Sequence, residues 1–176
     1  MARRPKTAII AAGGNSLIID EKHKSIPDQY KSASITSRYI VDMIEQGWNV
    51  VVTHGNGPQV GAELSKNEIS MDIIPPLPLN VLVANTQGAM GYMIQQSLQN
   101  ALYKENTNRE VVTFISQMKI DRDDNSLKEP TKYIGKTYSK KTALKLSEKY
   151  GWIVKEQEKN EWRRVVPSPK PLYIFN

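Results

Sequence analysis

The 176-residue chain has no cysteine and only two histidines. A disulfide framework and thiol chemistry are therefore excluded, and a zinc site of the usual ligand type lacks donors. No apolar run is long enough to span a bilayer, so a membrane partner is not expected. The basic start, MARRPK, is followed only by the short apolar run from Thr7 to Ala12 before two glycines. That is too short for a secretory signal, and a cytoplasmic location is the expectation. What remains is a composition of 39% hydrophobic and 24% charged residues, which suits one soluble domain with a real core and a small excursion.

The net charge of +6 is unevenly placed. Residues 119–170 hold fourteen Lys or Arg against eight Asp or Glu, while the rest of the chain is balanced at ten of each. A solvated lysine-rich surface is one reading; a segment that meets an anion is the other. Nucleic acid is not the expected anion, because acidic residues interrupt the segment and no recognised motif accompanies its tryptophans.

Alternating strand and helix patterns run along the chain. Thr7 to Ala11 reads as a strand ending in Gly13-Gly14-Asn15. Ser32 to Gln46 has helical spacing and a Gly47 stop. Asn49 to Thr53 is a second strand, followed by a helix from about Pro58 to Asn67. PPLPLN, at 75–80, breaks regular structure. Ala89 to Tyr103 is amphipathic, and Val111 to Ser116 is a third β-branched run. This order predicts an α/β fold: a mostly parallel sheet with helices on both faces. After Ser116 the texture turns polar, with a lysine-rich helix from Ser139 to Tyr150 and two short strand-like runs that pair as a hairpin. The expected organisation is a main lobe over 1–118, an inserted basic subdomain over 119–166, and a return to the lobe over 167–176.

In an open parallel sheet, ligands sit beyond the carboxyl ends of the strands. Two glycine loops occupy that place, Gly13-Gly14-Asn15 and Gly55-Asn56-Gly57. Glycine lets backbone N–H groups converge on an anion, and a helix start adds its unpaired N–H groups and positive dipole end. Pro58 fits the first helical turn, where its missing N–H costs nothing. One such loop would be a plain strand-to-helix turn; two at one sheet edge point to a phosphate or carboxylate. Neither has the spacing of a dinucleotide or Walker loop. His54 reads either as a general base or, more simply, as a satisfied histidine at a strand end.

The stretches AAGGNSLI (11–18), VVTHGNGPQVG (51–61), TQGAMGYMIQQSL (86–98), EPTKYIG (129–135) and WRRVVPSPKP (162–171), in this order, resemble the N-terminal half of the carbamate kinases, in the amino-acid kinase superfamily. The resemblance implies a three-layer α/β sandwich with a protruding subdomain, and a homodimer. It also implies reversible phosphoryl transfer between ATP/ADP and carbamate or carbamoyl phosphate. Gly13, Gly14, Asn15, Gly55, Asn56 and Gly57 would bind the substrate, and Lys132, matching the family's lysine in the protruding subdomain, would be catalytic.

The family is much longer, and its other half holds most of the nucleotide site. ATP/ADP with Mg2+ is therefore expected of a complete enzyme and not of this stretch. No residue is assigned to a metal, and the isolated chain is expected to be inactive. The alternative is a non-catalytic relative that binds an anion or regulates a full-length partner. Two departures from the family pattern stand out: Tyr133 in place of a proline, and EQEKNE (156–161) in place of a glycine-containing turn.

Overall fold

A computed structural model describes residues 6–13, 17, 18, 20, 22, 23 and 25–175. The chain divides into two compact units, one formed by residues 1–60 and 77–115, the other by 61–76 and 116–176.

In the first unit, β1 (Thr7–Ala12) and β2 (Asn49–His54) pair in parallel, from Thr7 opposite Asn49 to Ala12 opposite His54. Side chains alternate across a strand. Ile10, Val50 and Val52 turn towards α1 (Ile26–Glu45) and α3 (Leu79–Lys104), where they join Ile40, Val41, Leu98 and Leu102. The intervening Ile9 and Val51 are exposed. A second cluster joins Leu17 and Ala33 to Met90 and Met93. Each such aliphatic side chain contributes about 1.5–3 kcal/mol on burial, and these contacts hold the two helices against the strands.

Both helices start earlier than their apolar periodicity indicates. α1 begins six residues before Ser32, because Ser25 accepts the Asp28 N–H while the Asp28 carboxylate takes the Ser25 N–H, and Pro27 fits the first turn. The Ser25 hydroxyl also donates to the Asp28 carboxylate, and this bond first, with the Ser25 N–H after it, lowers the Asp28 pKa. α3 begins at Leu79, directly after the extended Pro78, rather than at Ala89. The proline run sets where the helix starts, and the polar residues Asn80, Asn85 and Gln87 lie within it.

The third run, Val111 to Ser116, is not a paired strand. It lies along α3, and helix side chains take the place of a strand partner. Gln95 Nε2 donates to Val111 O at 2.8 Å, Gln99 Oε1 accepts the Val111 N–H at 3.2 Å, and Thr113 Oγ1 donates to Gly91 O at 3.1 Å. Gly91 permits this approach, since a Cβ there would overlap Thr113 Cγ2. Val112, Phe114 and Ile115 stay more than half exposed.

In the second unit every strand pair is antiparallel. β3 (Gln117–Ile120) pairs with β7 (Pro171–Phe175), and β4 (Lys132–Tyr138) pairs with β6 (Glu161–Val166), which also pairs with β5 (Ile153–Glu158). The β5–β6 hairpin turns at Lys159-Asn160, with Asn160 at φ +65°. Asparagine tolerates that left-handed conformation better than most non-glycine residues, so the turn forms without a glycine. Its backbone is tied to Glu156, and Tyr133 Oη donates to Glu156 O at 3.0 Å. The two departures from the family pattern thus bond to each other. The short helix α4 (Asn125–Lys128) and α5 (Lys140–Tyr150) complete the unit; Ser139 caps α5 and Gly151, at φ +66°, ends it. Residues from Gly61 onward of α2 (Gly57–Ser70) cluster here as well.

Candidate anion-binding site

Parallel pairing brings the ends of β1 and β2 side by side, and the Gly55 N–H donates to Ala12 O at 3.2 Å. Gly13, at the end of β1, therefore neighbours Gly55-Asn56-Gly57 at the end of β2. Gly14 and Asn15 lie outside the described residues. A Cβ built on Gly13 or Gly57 would meet no atom within 4 Å. These glycines are not needed to relieve a contact with the protein, and the space beside them is open to a ligand.

Gly57 opens α2, and Asn56 O accepts the Val60 N–H at 2.9 Å, so Asn56 stands at the N-cap. An asparagine there ordinarily turns its side chain onto the first-turn N–H groups. Here the amide is drawn to α3 instead: Asn56 Nδ2 donates to Thr86 Oγ1 at 2.9 Å. The buried Thr86 hydroxyl spends its own proton on the Val83 or Leu82 carbonyl, so it must accept from Asn56. The first N–H groups of α2 consequently lack a side-chain cap, at the end where the helix dipole is positive.

Two further polar atoms are buried nearby in sequence without a hydrogen-bond partner, His54 Nδ1 and Gln59 Oε1; the Gln59 amide nitrogen bonds Gln29 Oε1. His54 is thus not the satisfied strand-end histidine of the simpler reading. Nor does a carboxylate among the described residues orient it, as a general base would require. Thr86 lay within a quoted motif, but its role was hidden because the periodicity placed the start of α3 after it. Gln59 likewise lies within a family-matching stretch, VVTHGNGPQVG, but nothing in its local pattern marks its side chain as buried.

Lys132 opens β4 in the second unit, exposed, opposite Val166, and makes no ion pair with any described residue. In the acidic run, Asp121 accepts the Asp123 N–H, and Asp124 accepts the N–H groups of Ser126 and Lys170. These bonds, Ser126 first, lower the Asp124 pKa. The carboxylates close turns, and no cluster of three or more metal-binding side chains occurs among the described residues. No described helix is long and apolar enough to cross a membrane.

No family model matches the chain. Among curated proteins, the carbamate kinase of Pyrococcus horikoshii is 43% identical over 169 residues, which cover 95% of this chain and 54% of that protein. The carbamate kinase of Clostridium perfringens is 38% identical, over 94% of this chain and 54% of that protein. Among solved structures, carbamate kinase from Giardia lamblia bound to AMP-PNP matches with a TM-score of 0.88 at 35% identity, covering 97% of this chain and 54% of that one. The chain spans about half the length of the relatives it matches. Along nearly all of its described length, this chain is homologous to the N-terminal half of the carbamate kinases.

Proposed function

We propose that the chain carries the carbamate and phosphoryl side of a carbamate kinase site, serving reversible phosphoryl transfer between ATP/ADP and carbamate/carbamoyl phosphate. The observation that carries this reading is that Gly13 and Gly55-Asn56-Gly57 lie at adjacent ends of paired parallel strands, the latter leading into a helix N-terminus whose N-cap side chain is turned to α3. In the direction of ATP formation, the bond between the carbamoyl oxygen and phosphorus breaks, and a bond forms from phosphorus to the terminal oxygen of ADP. Carbamate leaves as the anion. Protein groups need only align the reactants and neutralise charge. The Gly57 N–H, at the start of α2, suits a phosphoryl oxygen, because it is fixed before the reaction and need not reorganise; Gly13, Gly14 and Gly55 would let the backbone approach the ligand closely. Asn56 Oδ1, left free when Nδ2 binds Thr86, suits the carbamoyl N–H. Asn15 would add a second amide.

Residues 119–166 are read as a basic lid, with Lys132 as the cation that meets developing charge on the transferring group. Nucleotide with Mg2+ belongs to the complete enzyme. The reading is tested by titrating carbamoyl phosphate into wild-type and Gly57→Val protein in a calorimeter. Since a side chain at Gly57 meets only open space, the variant should fold normally. It should bind at least tenfold more weakly, about 1.4 kcal/mol. Equal affinity would remove the loops from the site. Binding without turnover in any complete assembly would instead favour a non-catalytic relative.

A further inference from the structure

Glu68 lies near the end of α2 and is only 6% exposed, and Leu64, one turn earlier, is buried as well. A buried carboxylate is costly unless it is well paired, yet only Oε2 has a hydrogen bond, accepting Tyr138 Oη at 2.7 Å. Oε1 is buried with no hydrogen-bond partner, pressed against β4, where a Cβ on Gly135 would stand 2.6 Å away. Gly135 has φ +70°.

The register of β4 on β6 is regular from Lys132 to Ile134 and then shifts before Tyr138. Glu68 therefore meets both sides of one β-bulge, Gly135 within it and Tyr138 at its end. The same bulge is held from β6, where Arg163 Nη2 donates to Gly135 O at 2.7 Å. Arg164, stacked 4.7 Å from the Trp152 ring centre, supplies the opposing charge. Burial raises the Tyr138 pKa, and the bond to Glu68 raises it further, so the phenol stays a donor. Bulges re-aim the strand that carries them. Lys132, three residues before Gly135, stands on this strand, and its side chain makes no ion pair with any described residue.

We propose that Glu68 is a positioning residue for Lys132, clamping the β4 bulge through Tyr138 and Gly135 so that the strand presents Lys132 in a single register. This rests on the reading of Lys132 as a ligand-facing cation. Glu68 touches no ligand; it acts through the strand.

The test uses the full chain, 15N-labelled, with inorganic phosphate as the probe. Tyr138→Phe removes the donor and strands the carboxylate. The β4–β6 amides should then exchange at least tenfold faster, with the β5–β6 amides unchanged. Glu68→Gln keeps an acceptor for Tyr138 and should stay within threefold of wild type, and Asp72→Ala, on an exposed pair in the same unit, should alter none of these amides. Phosphate affinity should fall in Tyr138→Phe, and the Tyr138→Phe/Lys132→Ala double variant should bind no more weakly than Lys132→Ala alone, because both changes remove one contribution.

Unchanged β4–β6 exchange in Tyr138→Phe overturns the clamp. Fully additive affinity losses overturn its connection to Lys132. Wild-type phosphate affinity in Lys132→Ala overturns the reading of Lys132, and with it the positioning role, even where exchange still reports a clamp.

Discussion

In the first unit, Ile40, Met90 and Leu102 are almost wholly out of water, packed between two helices and a parallel strand pair. In the second unit, the side chains that tie α2 to β4 are Glu68 and Tyr138, and cations lie over aromatic rings: Arg164 on Trp152, Lys140 on Trp162, Lys149 on Tyr150. Both arrangements fix a backbone, but they respond differently to change. Apolar contact is non-directional and loses energy with volume, whereas a polar clamp is sensitive to single atoms and to which group donates.

The strongest contrast is expected from Leu102→Ala. Leu102 is fully buried among Ile40, Val41 and Leu98, and its truncation should cost about 2–5 kcal/mol. Chemical denaturation followed by Trp48 fluorescence should show the loss in the first unit. A cost below about 1 kcal/mol would mean that this core is not what holds the unit.

Gly91→Ala comes next. Helix propensity alone favours alanine by about 1 kcal/mol. The overlap of the new Cβ with Thr113 should reverse the sign, to a net loss of about 1–3 kcal/mol typical of overpacking. Loss of protection along residues 111–115 should accompany it. A stabilised variant would show that this segment does not lie on α3.

Gly91 also marks where sequence reading reached its limit. The turn at Gly55-Asn56-Gly57, both strands of the parallel pair and the β5–β6 hairpin were legible, because turn chemistry and period-two patterning are local. Val111 to Ser116 looked like a strand because β-branched runs are compatible with any extended backbone. Whether such a run pairs depends on a neighbour, and here Gln95 and Gln99, residues without a strand signal, supply the bonds. The clamp on β4 was invisible for the same reason. Glu68 and Tyr138 are seventy positions apart in sequence, and a glutamate on a polar helix reads as solvated. The helix starts at Ser25 and Pro78 carried local signals, but apolar periodicity alone did not reveal them.

Lys132→Ala should separate binding from stability. Replacing an exposed lysine that makes no ion pair with any described residue should change stability by less than about 0.5 kcal/mol, while phosphate affinity drops. Scanning calorimetry and phosphate titration on one preparation check both halves; a destabilised variant would make Lys132 a structural residue instead.

The smallest effect is expected from acid at the start of α1. Asp28 has its pKa lowered first by the Ser25 side chain. A depressed folded-state pKa contributes stability that is present above the ordinary aspartate value of 3.8 and is lost as pH falls through the lowered value. The amides of Asp28 and Gln29, both bonded to Ser25, should therefore lose protection at acidic pH before those of α3, and Asp28→Asn should abolish that pH dependence. Persistence of the pH dependence in Asp28→Asn would assign it to another group.

The account stands or falls on where an anion binds. Titrating carbamoyl phosphate into the 15N-labelled chain reads this directly, through the amide resonances of Gly13, Gly14, Asn15, Gly55, Asn56 and Gly57. The account predicts saturable shifts that centre on these six residues and disappear in Gly57→Val, whose remaining spectrum stays that of the folded protein. Shifts confined to the lysines of α5, or shifts at the loops that persist unchanged in Gly57→Val, would contradict it.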